Sequence, residues 1–587
     1  MSGAGSIEVE QQSQVDVGTD SPADRRLGRL IRILALVALA LAILGTIILM
    51  VRVLTWDWMA VGDFGTLRLR TLDVGTSHTP LVGIYSRWGW NHPGPMLVVF
   101  MAPALRLTGG AGHGLLLGAL LINLGAIASV LVIARRAGAE ILALLALASV
   151  VLIRALGSGE LLDPWNPYVL IVALFAAAIA AWRAVLGDRV AAIVFVVTAS
   201  FALQCHVESA LSVLMLTVMV FGTLALRSWR GPDPIRDRRT LLASIAVGLV
   251  CWLLPIIEQV SSSTGGNLRA VISFALHGSG DVNGWHDGAR IVCWFLASPT
   301  NWFGGDLLVP RGAVPIPFAL LALLAATAWA AHRRYRSELV VCGIAWVLAL
   351  SALVACSRIS GVAFPYLYRW VIAVAVLVWV AIASVILREL RERVPRPQWA
   401  EVAMWSVTCV LLVVLVVQGP NLTALKGSDT ALRTFDRLVE PTLAALHELP
   451  PPTLITVTAS GVDGSFAIDM LQRAPEEGLD LRFGSDRAFI FGTQRTIDPA
   501  LANSELVLAE GAFRETYLAD PRYRLVAEFD PLTPDERLEY ERLDVIDWNA
   551  RADGPTDPGP EYRRYRELAE HFEYLAVFVS DQPPPEG

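Results

Sequence analysis

Charged side chains are scarce in this sequence of 587 residues. Asp, Glu, Lys and Arg together make up 17% of it, whereas ordinary soluble domains carry about 25%. Hydrophobic residues make up 54%, and the mean hydropathy is +0.53. The composition therefore excludes a soluble globular enzyme and predicts a polytopic α-helical membrane protein.

Lysine is nearly absent, and the cysteines show no spacing typical of reactive or metal-binding thiols. Lys426 is the single lysine, so arginine supplies nearly all positive charge; this bias says nothing about nucleic acid, and no nucleic-acid partner is expected. The six cysteines lie in or near apolar runs, and none stands in C-x-x-C spacing. Disulfides and thiolate metal sites are thus disfavoured, and small buried helix residues are the expected role.

The charge that is present is unevenly distributed. Residues 419–587 hold 31 acidic and 16 basic side chains, a net charge of −15, which leaves +8 of the total −7 for residues 1–418. We predict a disordered polar tail over residues 1–24, a membrane bundle over 25–418 and a soluble α/β domain over 419–587. In that domain we expect a helix at Ser465–Arg473 and several strands. The predicted strands are Thr453–Thr458, Ala488–Phe491, Leu506–Leu508, Leu525–Phe529 and Leu575–Val579.

Eleven apolar runs are predicted to span the membrane. They are Ile33–Leu54, Leu115–Ala134, Ile141–Leu156, Tyr168–Trp182, Val190–Gln204, Leu211–Leu226, Leu241–Ile257, Pro315–Ala331, Leu339–Ala355, Tyr368–Leu387 and Val402–Val417. Met96–Leu107 is too short to span and is expected to lie at the outer interface. With this count most arginine clusters fall on one side, which the positive-inside rule makes cytoplasmic. The N-terminus is then cytoplasmic and the C-terminal domain extracytoplasmic.

A long polar connection, residues 55–95, follows the first span and is predicted to be a large outer loop. It carries Asp63, and the second outer loop carries Asp163 within Leu162-Asp163-Pro164. Two carboxylates at one membrane depth favour a shared site, with one as general base; the alternative that the pair holds a divalent cation stays open. Plainer interpretations also stay open: Asp63 as an interfacial acid, and Asp163 as a cap before a proline-led helix.

Five further polar residues fall on the same predicted outer face: Arg87, His92, His206, Glu208 and Arg369. A cation or an imidazole there suits an anionic headgroup, and an acid beside an imidazole suits a hydroxylated substrate. The alternatives are a turn for His92, a helix cap for His206 and Glu208, and snorkelling to the headgroups for Arg369.

The order of these features resembles the integral-membrane glycosyltransferases of the GT-C superfamily. In lipid A aminoarabinose transferases the first outer loop ends in Glu-Lys-Pro-Pro-Leu, and in protein O-mannosyltransferases it ends in His-Pro-Pro-Leu. The corresponding run here is Asn91-His92-Pro93-Gly94-Pro95, and Leu162-Asp163-Pro164 matches a Leu-Asp-Pro of the second outer loop. The run Pro255–Leu268 is similar to actinobacterial arabinofuranosyltransferase-like proteins. The family's paired acids, its second proline and its lysine have no equivalent here.

The resemblance implies an inverting glycosyltransferase that uses a polyprenyl-phosphate sugar at the outer face of the cell membrane. It implies Asp63 as the catalytic base, with Asp163 assisting it or binding metal. His92 and Arg87 would contact the donor phosphate, and the acceptor would be an envelope glycan, lipid or protein. His206, Glu208 and Arg369 are added as donor- or substrate-binding residues from their type and position alone. Two other functions stay open: a transporter or flippase of lipid-linked sugars, and an inactive relative that serves as an assembly partner.

Overall fold

A computed structural model describes residues 22–262, 265–278, 282–303, 307–393, 398–420, 422, 425, 428–458, 462–544, 560–571 and 574–584. Residues 1–21 of the predicted disordered tail lie outside these ranges.

Sixteen α-helices lie in the first 418 residues within the described ranges. They are α1 Pro22–Thr55, α2 Gly62–Leu72, α3 Met96–Leu107, α4 His113–Ala137, α5 Ala139–Leu156, α6 Asn166–Val185, α7 Arg189–Cys205, α8 Ala210–Arg230, α9 Pro234–Cys251, α10 Leu253–Ser261, α11 Asn267–His277, α12 Gly284–Ala297, α13 Phe318–Arg333, α14 Arg336–Ser357, α15 Val371–Arg393 and α16 Gln398–Gln418. Each of the eleven predicted spans coincides with a helix or with the α9–α10 pair.

Among the described residues, eight helices are long and apolar enough to cross a membrane, and α9 with α10, bent by 57°, forms a ninth if the pair is one span. The other two predicted spans, α7 and α13, are shorter helices of 17 and 16 residues. A multi-pass membrane architecture is thus confirmed, while the number of crossings stays a prediction.

Helix α6 lies at the centre of the bundle. Alanine occupies much of its length, and nearly every residue of it is buried. Small side chains let neighbouring helices approach closely, which is how helices associate where lipid removes the hydrophobic driving force. In contrast, α1 lies at the edge and packs on α16, where Gly45 contacts Val416.

Helix α3 has the predicted bounds and packs against a neighbouring helix, while its position at the outer interface stays a prediction. It runs along α4, with Leu105 over Gly114 and Met101 over Gly118. Most of its residues are buried. The two glycines leave room for this approach, so α3 is part of the bundle and not a surface helix.

The C-terminal region is an α/β unit around a six-stranded sheet. Its elements are α17 Ser428–Leu446, β1 Thr453–Val457, α18 Val462–Arg473, β2 Leu481–Gly484, α19 Ala488–Phe491, β3 Thr496–Ile497, β4 Ser504–Ala509, α20 Gly511–Leu518, β5 Arg524–Phe529, α21 Pro534–Asp544, α22 Pro560–His571 and β6 Leu575–Ser580. The strand order in the sheet is β3-β2-β1-β4-β6-β5. Strands β3, β2, β1 and β4 run parallel to one another, whereas β6 is antiparallel to both of its neighbours, β4 and β5. The predicted combination of a helical membrane bundle with a C-terminal α/β unit is confirmed.

Four of the five predicted strands are confirmed, and the fifth is wrong. Ala488–Phe491 is a single helical turn, because Phe491 leaves the strand direction to stack on Phe483, with ring centroids 4.2 Å apart. Strands β2 and β3 are too short and mixed in character to show as apolar runs in the sequence.

This α/β unit packs directly on α2. Ile468 of α18 lies over Gly65, where a Cβ atom would come within 2.5 Å of its side chain. Gln472 of α18 donates to the carbonyl of Ala60 at 3.1 Å and accepts from Arg68 at 2.9 Å. The short helix that carries Asp63 is therefore held between the bundle and the C-terminal unit.

Candidate functional site

Asp63 lies in the first turn of α2, inside the connection predicted as an irregular loop. The chain turns into this helix at Gly62, whose φ of +52° favours glycine. An acid in the first turn is favoured by the helix dipole. Its two carboxylate oxygens accept from different donors: the Tyr85 hydroxyl and the Trp165 indole N–H, the latter at 3.1 Å. Burial, followed by the charge of Asp63, raises the pKa of Tyr85, so the phenol keeps its proton and donates.

A small hairpin over residues 83–92 forms the opposite wall. His92 N–H donates to the Ile84 carbonyl at 2.9 Å, and Ser86 N–H donates to the Trp90 carbonyl at 2.7 Å. Gly83 is needed at its base, because a Cβ atom there would lie 2.8 Å from the Gly94 carbonyl oxygen. The hairpin therefore fixes His92 at its base.

Arg87 lies near the hairpin tip and is exposed. Its guanidinium lies over the rings of Trp88 and Phe364, and it donates to the Ser360 carbonyl at 2.7 Å. These contacts hold the guanidinium against the 360–364 segment at the mouth of the site.

Five of the seven predicted site residues line one cavity of about 210 Å³. They are Asp63, Arg87, His92, His206 and Glu208. Arg358 adds a second guanidinium, and aromatic rings supply much of the remaining wall. Those rings belong to Tyr85, Trp88, Trp90, Trp165, Phe274 and Tyr366. Acids, cations, imidazoles and aromatic faces thus converge on a single space, which is the usual composition of a small-ligand site.

Asp163 lies outside that cavity, contrary to the expectation that it shares a site with Asp63. It is buried, and its carboxylate accepts the Trp165 backbone N–H at 2.9 Å just before α6. This resembles the capping role left open from the sequence. Asp163 therefore reaches Asp63 only through Trp165, whose indole contacts the Asp63 carboxylate. The second carboxylate of the cavity is Glu208.

Arg369 also lies outside the cavity. Its guanidinium pairs with Glu160 at 2.8 Å and lies over the ring of Tyr168. Burial raises the pKa values of Glu160 and Asp163, although Arg369 opposes the rise in both. In this structure Arg369 thus forms a buried ion pair beside Tyr168, and its contact with a substrate phosphate stays a prediction.

The His92 and His206 rings both line the cavity and contact each other, with ring centroids 4.4 Å apart. Burial lowers the pKa of His206 to about 3 and, with the neighbouring His206, lowers the pKa of His92 well below its usual value. Both rings are therefore neutral near pH 7 and act as hydrogen-bonding groups. The His92 Nδ1 atom is buried and has no hydrogen-bond partner within the described structure.

No group of three or more His, Cys, Asp or Glu side chains that could hold a metal ion occurs among the described residues. Both oxygens of Asp63 already accept hydrogen bonds, and Asp163 is used at the start of α6. This donor set fits an oriented carboxylate better than a shared metal site.

Sequence reasoning missed Tyr85 and Trp165, the two donors to Asp63. Both stand in the predicted outer connections, within Ile84-Tyr85-Ser86 and Pro164-Trp165-Asn166. The density of aromatic residues in such polar loops was the available signal, since an aromatic residue with a polar tip suits the wall of a wet cavity.

No protein-family model matches the sequence, and no curated protein matches it. Among solved structures, the chain is similar to the crystal structures of ArnT from Cupriavidus metallidurans bound to undecaprenyl phosphate and in the apo state. The identities are 16% and 14%; each alignment covers 84% of this chain and 96% of the other, with a TM-score of 0.47. ArnT is a GT-C lipid A aminoarabinose transferase, the class that the sequence motifs resemble. Similarity at this level assigns neither a family nor an activity to this chain.

Proposed function

We propose that the chain is a membrane glycosyltransferase that takes a sugar from a polyprenyl-phosphate donor and transfers it to a hydroxyl of a cell-envelope acceptor. The observation that carries the proposal is the cavity, where the Asp63 carboxylate, neutral imidazoles and two guanidinium groups meet beside aromatic rings. A general base, phosphate-binding cations and sugar-binding surfaces are what such a reaction requires. On the predicted topology the cavity opens to the outside of the cell.

In this mechanism Asp63 is the base. Its carboxylate removes the proton of the acceptor hydroxyl as that oxygen attacks the anomeric carbon. The bond from the anomeric carbon to the phosphate oxygen breaks, and the polyprenyl phosphate leaves with inversion. Tyr85 and Trp165 fix the carboxylate in place, so that little reorganisation is needed during the reaction.

The leaving phosphate gains charge in the transition state, and the cavity holds groups that stabilise it. The His92 imidazole supplies a hydrogen-bond donor, and Arg87 supplies charge at the mouth. One well-placed donor of this kind contributes about 3 kcal/mol to transition-state stabilisation. Glu208 accepts from sugar hydroxyls, and the flat faces of Trp88 and Trp165 pack on the sugar ring.

The lipid tail of the donor requires an apolar path. A groove of about 540 Å³ lies between α3, α4, α6 and α7 and is lined by Phe100 and Phe201 among other apolar residues. Phe201 lies in the last turns of α7, which ends at Cys205 directly before His206. The tail can therefore lie in hydrocarbon while its phosphate reaches the histidine pair.

The decisive experiment measures transfer of radiolabelled sugar from a polyprenyl-phosphate donor by purified protein. Asp63→Asn is expected to lower kcat about 10²- to 10⁴-fold through loss of general-base catalysis. The matched control is Asp57→Asn, since Asp57 is exposed in the same connection and does not line the cavity. Full turnover by Asp63→Asn would refute the assignment of the base. Vectorial movement of label without a new glycosidic bond would instead establish a transporter.

A further inference from the structure

One short segment of the C-terminal unit touches both walls of the cavity. This docking segment, residues 488–495, consists of α19 and the turn that follows it. Stacking of Phe491 on Phe483 fixes it to β2. Since it projects from a six-stranded sheet, its position is set by the C-terminal unit and not by the membrane helices.

The first contact of the docking segment is with the C-terminal end of α2, the helix that carries Asp63. Arg495 donates to both carboxylate oxygens of Asp73, at 2.8 Å each, and Gln494 donates to one of them at 2.9 Å. Arg70 lies 3.7 Å from the same carboxylate. The Asp73 and Arg495 side chains are 8% and 18% exposed, so water screens this pair weakly.

Its second contact is with the hairpin on the opposite wall. The Asn91 side-chain amide donates to the Phe489 carbonyl at 2.8 Å. Asn91 directly precedes His92, whose ring faces the cavity. The docking segment thus contacts both walls of the cavity. Its Arg495 guanidinium binds the helix that carries Asp63, and its Phe489 carbonyl binds the hairpin that carries His92.

We propose that Arg495 is a positioning residue: through Asp73 it fixes the orientation of α2 and so the placement of the Asp63 carboxylate relative to His92. Asp73 follows Asp63 by ten residues along a rigid helix, so movement at one end displaces the other. The bidentate geometry matters, because a fork of two parallel bonds fixes direction as well as distance. The role assigned to Asp63 rests on the proposed function, whereas the mechanical link between Asp73 and the docking segment does not.

The test compares Arg495→Ala with Arg482→Ala, a control that removes the half-exposed pair with Asp480 in the same unit. Arg495→Ala is expected to lower kcat 10- to 100-fold with KM within about twofold, since a misplacement of 1 Å costs about that much. Arg495→Lys keeps the charge without the fork and should recover only part of the rate. In an Asp63→Asn background, Arg495→Ala should cause no further loss. A loss that persists in that background would overturn the positioning role.

A second readout does not depend on transfer. The exposed residues 75–78 follow Asp73 directly, so release of Asp73 should speed proteinase K cleavage there at least fivefold, with Arg482→Ala unchanged. Unchanged cleavage in Arg495→Ala would refute the mechanical link even if the protein proves to be no transferase. Should Arg495→Ala fail to fold, Gln494→Ala removes one hydrogen bond to Asp73 and leaves the ion pair. This variant should lower kcat by a smaller factor and speed cleavage at residues 75–78, and an unchanged rate together with unchanged cleavage would also overturn the proposal.

Discussion

At the scale of single residues, the site is built around one carboxylate whose two oxygens are separately held. Tyr85 holds one and Trp165 the other, and Trp165 is in turn fixed by Asp163. A partly buried acid that merely stabilised the fold would need no free cavity beside it. Here the Asp63 carboxylate lines the same cavity as two imidazoles and Glu208. Two hydrogen-bond donors therefore orient this carboxylate toward a space that a ligand can occupy.

We expect Trp165→Phe to lower kcat about 10- to 100-fold, because it removes a hydrogen bond to a charged group worth roughly 1.5–3 kcal/mol. The ring and its packing are retained, so the melting temperature should hardly change. The matched control is Trp346→Phe, which removes an indole bond to Thr327 far from the cavity. Equal kinetic losses in the two variants would argue against an orienting role for Trp165.

We expect the buried histidines to make the folded state sensitive to acid. The folded-state pKa of His206 is lowered to about 3, whereas the unfolded chain binds that proton near pH 6.5. Above pH 6.5 the ring is neutral in both states; below it, stability falls with pH until about pH 3. For His206 alone the loss at pH 5 is about 2 kcal/mol.

The variant His206→Asn tests this expectation. Asparagine can still accept from the Glu208 backbone N–H, as the His206 ring does at 3.4 Å, but it does not titrate. Denaturant unfolding at pH 7 and pH 5 should show a smaller loss of stability in the variant than in the wild type. Parallel losses in both proteins would contradict a neutral buried His206.

At the scale of elements, close helix packing explains why α3 is not a surface helix. Leu105 and Met101 of α3 pack against two glycines of α4. The Pro93-Gly94-Pro95 segment directly precedes α3 and leads the chain into this contact. The sequence predicted the length of α3 but not its burial, because an apolar run of twelve residues fits either setting. Which face of α3 meets a neighbour depended on glycines in a different helix.

We expect Gly114→Ala to destabilise the bundle by about 1–3 kcal/mol through overpacking. The added methyl would lie 2.8 Å from the Leu105 Cα atom and 2.2 Å from the Thr108 hydroxyl oxygen. Gly125→Ala is the matched control on the same helix, since nothing lies within 4 Å of its added methyl. Thermal unfolding in detergent compares the two; equal midpoints would show that α3 is free to shift.

Secondary structure was predicted correctly from the sequence where the hydrophobic pattern is strong. It was predicted wrongly where a tertiary contact determines the local conformation. Each of the eleven long apolar runs coincides with a helix or with the α9–α10 pair, and the β-branched runs coincide with β1, β4, β5 and β6. Ala488–Phe491 has strand-like residues, yet stacking on Phe483 turns it into a helical turn. For the site, residue type and position predicted five residues that line one cavity, among them Asp63 and His92, and their roles stay predictions. The hydrogen bonds of Asp63 with Tyr85 and Trp165 were not predicted, because no local pattern encodes contacts across 22 and 102 positions.

At the scale of the whole molecule, the arginine distribution predicts a definite topology. Eleven crossings would place the C-terminal unit and the 227–239 arginine cluster on opposite sides of the membrane. Arg238→Cys and Glu448→Cys introduce thiols at exposed positions on these two parts. In intact cells a membrane-impermeant maleimide should label the cysteine at position 448 and not that at 238. Labelling of both, or of 238 alone, would contradict the topology.

The order of strands in the sheet has a consequence for biosynthesis. Strand β6, residues 575–580, lies between β4 and β5 and pairs with both. The sheet that carries the docking segment therefore cannot close until the ribosome has passed residue 580 and that stretch has reached the same compartment. A nascent chain with its whole bundle already inserted would still lack the Arg495–Asp73 contact that is proposed to position α2. On the proposed function, full catalysis would begin only after translation of this strand, so half-made molecules would consume little donor lipid.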